Sequence, residues 1–244
     1  MSSEHRELNP ALLDAIEALD PQPRSGRWAS LSYCILDAVW SIGARYDAVV
    51  VPLVRRISEL AGDTTPLIPP GSPPPDDPMR LERFLARYPD TMALQAITNA
   101  QRTSTRAGIA KADAALRFAR VFAEQGINDL SSAATLVVDG SSVRSQIDHA
   151  LAAVPGAGRA GIRLSYLWML VGDDDAIKPD RMVLRWLARH AAPVSPVQAR
   201  VMLHDAASAL SKRLHRPVTP WMVDHAIWRT ERAGGAPAHG LHAK

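Results

Sequence analysis

The chain has 244 residues, 47% apolar, 22% charged and only 5% aromatic, so Leu, Val, Ile and Ala must fill the core of one large or two small domains. A formal charge of +3 and a sequence pI of about 9.3 permit a polyanionic partner without demanding one. The single cysteine, Cys34, excludes a disulfide framework, a four-thiolate zinc site and a four-cysteine iron–sulfur cluster. With no apolar run near the roughly 20 residues of a spanning helix and no signal-peptide core in MSSEHRELNP, a cytoplasmic protein without membrane contact is expected.

Helical periodicity dominates the chain. Residues 8–19 set Leu8, Leu12, Ile16 and Leu19 on one face. Residues 28–43 (WASLSYCILDAVWSIG) are apolar almost all round, as a buried helix requires. A second helix over 45–61 contains Pro52, which predicts a kink or break near Val51. Seven prolines in 64–78 predict an irregular surface connection rather than an element. Helices are expected again over 79–88, 90–99 and 107–125. Residues 133–138 (AATLVV) fit either a helical turn or a stray strand. Further helices are expected at about 141–153, 159–171, 181–191, 195–214 and 219–232. Leu203, Leu210, Leu214, Trp221, Ile227 and Trp228 would pack the C-terminal ones. The tail, 233–244, reads as disordered. With no convincing strand pair and no solenoid repeat, the fold class is all-α.

The informative stretch is 147–187. A helix ends near Ala153. Pro155 and the glycines Gly156 and Gly158 then make a tight turn, and an apolar helix starts at once. Such a turn points amide N–H groups outward at a helix N-terminus, which can hold a phosphate without any side chain. A plain helix–helix connection uses the same residues. The second helix stops at Gly172, the acidic Asp173–Asp175 follow, and Asp180 stands where the next helix needs an N-cap.

Ala-Val-Pro-Gly-Ala-Gly-Arg at 153–159, an apolar helix, and Pro-Asp-Arg-Met-Val-Leu-Arg at 179–185 together resemble the helix–hairpin–helix DNA glycosylases, specifically their endonuclease III-like branch. That family carries a Leu-Pro-Gly-Val-Gly-type hairpin, followed after a helix by a catalytic aspartate at the start of the next. Asp180 falls on that aspartate, at a slightly longer spacing. The resemblance extends more loosely over residues 28–190. There 30–56 match the first barrel helices, and 107–122, with Lys111-Ala112-Asp113, match the helix two before the hairpin. Two departures stand out. Ala160 occupies the place of the hairpin lysine that forms a Schiff base in bifunctional members, and the C-terminal cluster cysteines are missing. Only Lys111, Lys178, Lys212 and Lys244 offer side-chain amines, and Lys178, two residues from Asp180, is the one available substitute.

The resemblance implies an all-α fold of two lobes with Asp180 in a cleft between them. A helical barrel lobe would run from 30 to 175, and 1–29 would join 180–232 in the second. It also implies a nucleoid-associated monomer whose partner is DNA, without cofactor or metal. Asp180 would be catalytic. The amides of Gly156, Ala157, Gly158 and Arg159 would bind phosphate. Arg102, Thr105 and Arg106 would add hydroxyls and guanidiniums at the start of a helix, where Thr105 could equally be an N-cap. Within the Ser41–Tyr46 turn, Ile42, Arg45 or Tyr46 could be the wedge that fills the stack when a base leaves it. Asp37, in mid-helix, would be either a pocket residue or a buried carboxylate held by Tyr33 and Ser41 or by an arginine. Asp224 and His225 would be core polar contacts or line the cleft behind Asp180. The expected function is a monofunctional glycosylase that removes a damaged or modified base, in repair or in anti-phage defence. The rivals are a helix–hairpin–helix module that grips DNA without chemistry, and an all-α scaffold with no nucleic-acid role.

Overall fold

A computed structural model describes residues 9–138, 141–155 and 162–234. The protein is mostly helical, with twelve α-helices among those residues. It divides into two compact units, Arg24–Asp173 and Met1–Pro23 with Asp174–Lys244.

The larger unit is built around α2 (Leu31–Trp40), every residue of which is buried. Ser30 caps it through a hydrogen bond from the Ser32 N–H. Against α2 pack α3 (Val51–Ala61), α4 (Leu81–Arg87), α6 (Lys111–Glu124) and α9 (Ile162–Val171). A π-helical turn, Tyr46–Val50, runs directly into α3. Pro52 lies in the first turn of α3, a position that tolerates its fixed φ. The break expected near Val51 is therefore a change of helix type. Three further helices complete the unit: α5 (Thr91–Gln95), α7 (Leu130–Val138) and α8 (Ser142–Ala152). The ambiguous 133–138 is the second half of α7.

Two expectations need correcting. The proline-rich segment carries a strand, β2 (Leu67–Ile68), which pairs antiparallel with β1 (Arg27–Trp28) in the register Arg27 to Ile68. The segment is also tied down by Asp77. Its Oδ2 accepts the N–H groups of Leu31 and Leu130, each at 2.9 Å, and its Oδ1 accepts that of Met79 at 3.0 Å. One carboxylate thus serves orphan donors at the starts of both α2 and α7. The second correction concerns 102–106, which is not a helix start: α6 begins only at Lys111, and Thr105 caps nothing.

The smaller unit holds α1 (Pro10–Glu17), α10 (Arg181–His190), α11 (Pro196–Leu214) and α12 (Pro220–Gly234). Leu12, Ile16, Val183, Leu187, Leu203, Leu210, Val223 and Ile227 make its core. Ser195 and Gln198 cap α11 reciprocally, each side chain satisfying the other's backbone N–H. Leu214 and Trp221 pack at the edge of this core. Trp228 instead stacks on His225, which also stacks with Trp221. The tail from 235 onward lies outside the described residues.

Candidate active site and nucleic-acid face

Asp180 is the N-cap of α10 and is half-buried. Its Oδ1 accepts the N–H groups of Met182 at 2.8 Å and Val183 at 3.3 Å. Both capping bonds fall on one oxygen, and Oδ2 makes none among the described residues. The lead-in to α10 is a tight turn in which the Asp180 N–H donates to the Lys178 carbonyl at 2.6 Å across the buried Pro179. The N–H of Lys178 donates to Oδ1 of Asp224 on α12 at 3.2 Å.

Asp224 is 4% exposed. Burial first, and then the charge of Asp180, push its carboxyl up to about 8, against the pull of the Lys178 N–H and the cations of Lys178 and Arg200. The smaller unit therefore brings together two carboxyl groups of different character. One is half-open at a helix N-terminus, and one is enclosed and protonated at neutral pH. Environments that divide a pair in this way are common in acid–base sites. The sequence placed Asp224 near Asp180 only as one option. The signal was a polar pair, Asp224-His225, inside the apolar first half of α12.

In the larger unit Asp37 is wholly buried. Its Oδ2 accepts the Trp28 indole N–H and the Tyr46 hydroxyl, each at 2.7 Å, and its Oδ1 accepts the Tyr166 hydroxyl at 2.9 Å. Neither expected partner bonds it: Ser41 donates to the Ala38 carbonyl, and Tyr33 lies beside Asp63. Burial and the neighbouring Asp37 push the Tyr166 hydroxyl well up, so it stays a donor. Asp37 thus joins α2, the π-helical turn and α9. Among the wedge candidates, Tyr46 gives its hydroxyl to this network, Ile42 gives its carbonyl to Lys111, and Arg45 is exposed.

Lys111 is the buried cation that sequence reading passed over. Its Nζ donates to the carbonyls of Trp40 at 2.9 Å and Ile42 at 2.7 Å, and to Oε1 of Gln101 at 2.9 Å. A cation at the C-terminus of α2 also meets the negative end of that helix. Burial and the nearby Arg163 guanidinium lower Lys111 to about 8.

The segment after Gln101 is a closed loop. Thr103 and Lys111 donate their N–H groups to the carbonyls of Ile109 and Gln101, and the Arg102 guanidinium donates to the Gly108 carbonyl. Gly108 must be glycine, because a Cβ there would lie 2.1 Å from the Ser104 nitrogen. The loop leaves Arg102, Ser104, Thr105 and Arg106 exposed. The buried Thr103 hydroxyl donates to the Pro155 carbonyl at 3.4 Å. Loop 101–110 therefore touches the residue that leads into the hairpin, and through Lys111 it touches the end of α2. Gly156, Ala157, Gly158, Arg159 and Ala160 lie outside the described residues.

No group of three or more His, Cys, Asp or Glu is gathered to hold a metal ion among the described residues. None of the described helices is long and apolar enough to cross a membrane. The profile of a family described as a domain of unknown function (DUF8548) matches residues 7–232. The chain belongs to that family. The match runs through both units, so both are part of what the family shares. No curated protein and no solved structure matches the chain.

Proposed function

We propose that this protein is a monofunctional DNA glycosylase that flips a damaged or modified base from the duplex and hydrolyses its N-glycosidic bond. The observation that carries the reading is the state of Asp180. Its cap is made by one oxygen, leaving the other open on a half-buried carboxylate at the position where the sequence resembles the family's catalytic aspartate. As the C1′–N bond breaks, its electron pair leaves with the base and positive charge develops on the sugar. A fixed carboxylate beside that charge stabilises it more than it stabilises the neutral ground state. Water then adds to C1′ and gives up a proton, for which the same carboxylate is the acceptor.

Two further features support the reading. Loop 101–110 exposes two arginines and two hydroxyls and is bonded to Pro155, so it offers groups able to hold phosphate. Lys111, the one buried amine of the larger unit, has its three donors occupied, which leaves it poorly placed as a nucleophile.

The test is incubation with duplexes carrying a panel of damaged and naturally modified bases, scored for abasic sites. At least one duplex should yield them. Tight, salt-sensitive binding with no abasic product from any duplex would favour the non-catalytic binding module, in which Asp180 does no more than cap α10.

A further inference from the structure

A continuous hydrogen-bond path ends on Asp180 and begins on another helix. Asp224 Oδ1 on α12 accepts the Lys178 N–H, and the Lys178 carbonyl accepts the Asp180 N–H. Asp180 Oδ1 then accepts from the first turn of α10. Pro179, buried in the middle, fixes its own φ and restricts Lys178 before it. The turn is therefore clamped at both ends, by α12 on one side and by α10 on the other. A helix cap alone would fix Oδ1 and leave the preceding turn free to shift Oδ2.

We infer that Asp224 is a positioning residue for Asp180, holding the Lys178–Pro179–Asp180 turn so that the open oxygen of Asp180 meets a cationic, sugar-like ligand. This rests on the function proposed for Asp180 above. A buried anion in place of Asp224 would repel Asp180 and be expensive to desolvate. Its raised pKa means that a neutral carboxyl holds the turn at neutral pH. Asparagine copies that neutral form, with an oxygen able to accept the same N–H. Alanine keeps no acceptor.

The full-length protein is titrated with two duplexes that differ at one position. One carries a cationic pyrrolidine analogue of the abasic sugar, and the other the uncharged tetrahydrofuran analogue. The wild-type protein should prefer the cationic duplex by about tenfold or more, and Asp180→Asn should lose that preference. Asp224→Ala should lose most of it while binding the uncharged duplex within about twofold of wild type, and Asp224→Asn should keep it. Asp224→Leu, similar in size and apolar, takes the place of the alanine variant if that does not fold. A wild-type preference that Asp180→Asn abolishes but the folded alanine or leucine variant retains would overturn the role of Asp224 alone. Loss of preference in a folded Asp224→Asn would also overturn it. No preference in the wild-type protein would overturn the reading of Asp180 and this inference with it.

Discussion

The backbone N–H of Lys178 donates to a carboxyl oxygen of Asp224, 46 residues further along the chain and on a different helix. This bond makes the lead-in to α10 part of the packed core of the smaller unit rather than a surface loop. It also accounts for an aspartate buried among the apolar residues of α12: Asp224 has a specific donor, and it escapes most of the penalty of a buried charge by keeping its proton.

The pH dependence of stability follows from that proton. Asp224 has a folded pKa of about 8, raised from an ordinary 3.8. Between those values the folded state binds more protons than the unfolded one, so this group makes stability fall as pH rises through the window. The charged groups facing it are Asp180, Lys178 and Arg200, while Asp14 and Glu17 on the neighbouring α1 are taken up by Arg213. Asp224→Asn should lose less thermal stability than the wild type between about pH 5 and about pH 8. Parallel curves for the two proteins would mean that Asp224 titrates normally.

Asp77 should matter far more than its place in a proline-rich connection suggests. Asp77→Ala removes the acceptor for three backbone N–H groups, two of them at helix starts. A loss of about 2–4 kcal/mol in chemical denaturation is expected. A change under about 0.5 kcal/mol would show that water replaces the carboxylate without penalty.

DNA association should be electrostatic and should depend on the hairpin glycines. Binding should weaken steeply with added salt as phosphate contacts release counterions. Bulky substitutions at Gly156 or Gly158 should weaken it similarly for all sequences, because phosphate contacts carry no base information. Association insensitive to salt would remove nucleic acid as the partner.

Strand cleavage should be absent. Ala160 holds the hairpin position where bifunctional enzymes of the resembled family carry their lysine, so product strands should stay intact until alkali is added, and borohydride should trap no covalent complex. Trapping that disappears in Lys178→Ala would identify Lys178 as a nucleophile and overturn the monofunctional assignment.

The all-α class was legible because the signals are local. The all-round apolar pattern of 28–43 marked α2 as buried, and Pro52 marked the junction at Val51. What escaped was set by distant contacts. Loop 101–110 reads as a helix start because Ala107, Ile109 and Ala110 continue the apolar period of α6. It is held out of helix by the Arg102 to Ala110 bridge and the packing of Gly108. The partners of Asp37 could not be read from neighbours four residues away, since Tyr166 lies 129 residues along the chain. Asp77 carries no periodic signal at all, because it serves backbone donors 46 and 53 residues away.

If Asp180 drives base excision, the free base released from DNA, followed by mass spectrometry, should distinguish the wild-type protein from Asp180→Asn. Asparagine still caps α10, and a lost cap is worth only about 1 kcal/mol, so the fold should survive. The wild type should release a discrete base, Asp180→Asn should release it at least about a hundredfold more slowly, and DNA affinity should change no more than a few-fold. Equal rates of base release from the two proteins, or no base released by the wild type from any modified DNA, would contradict that role.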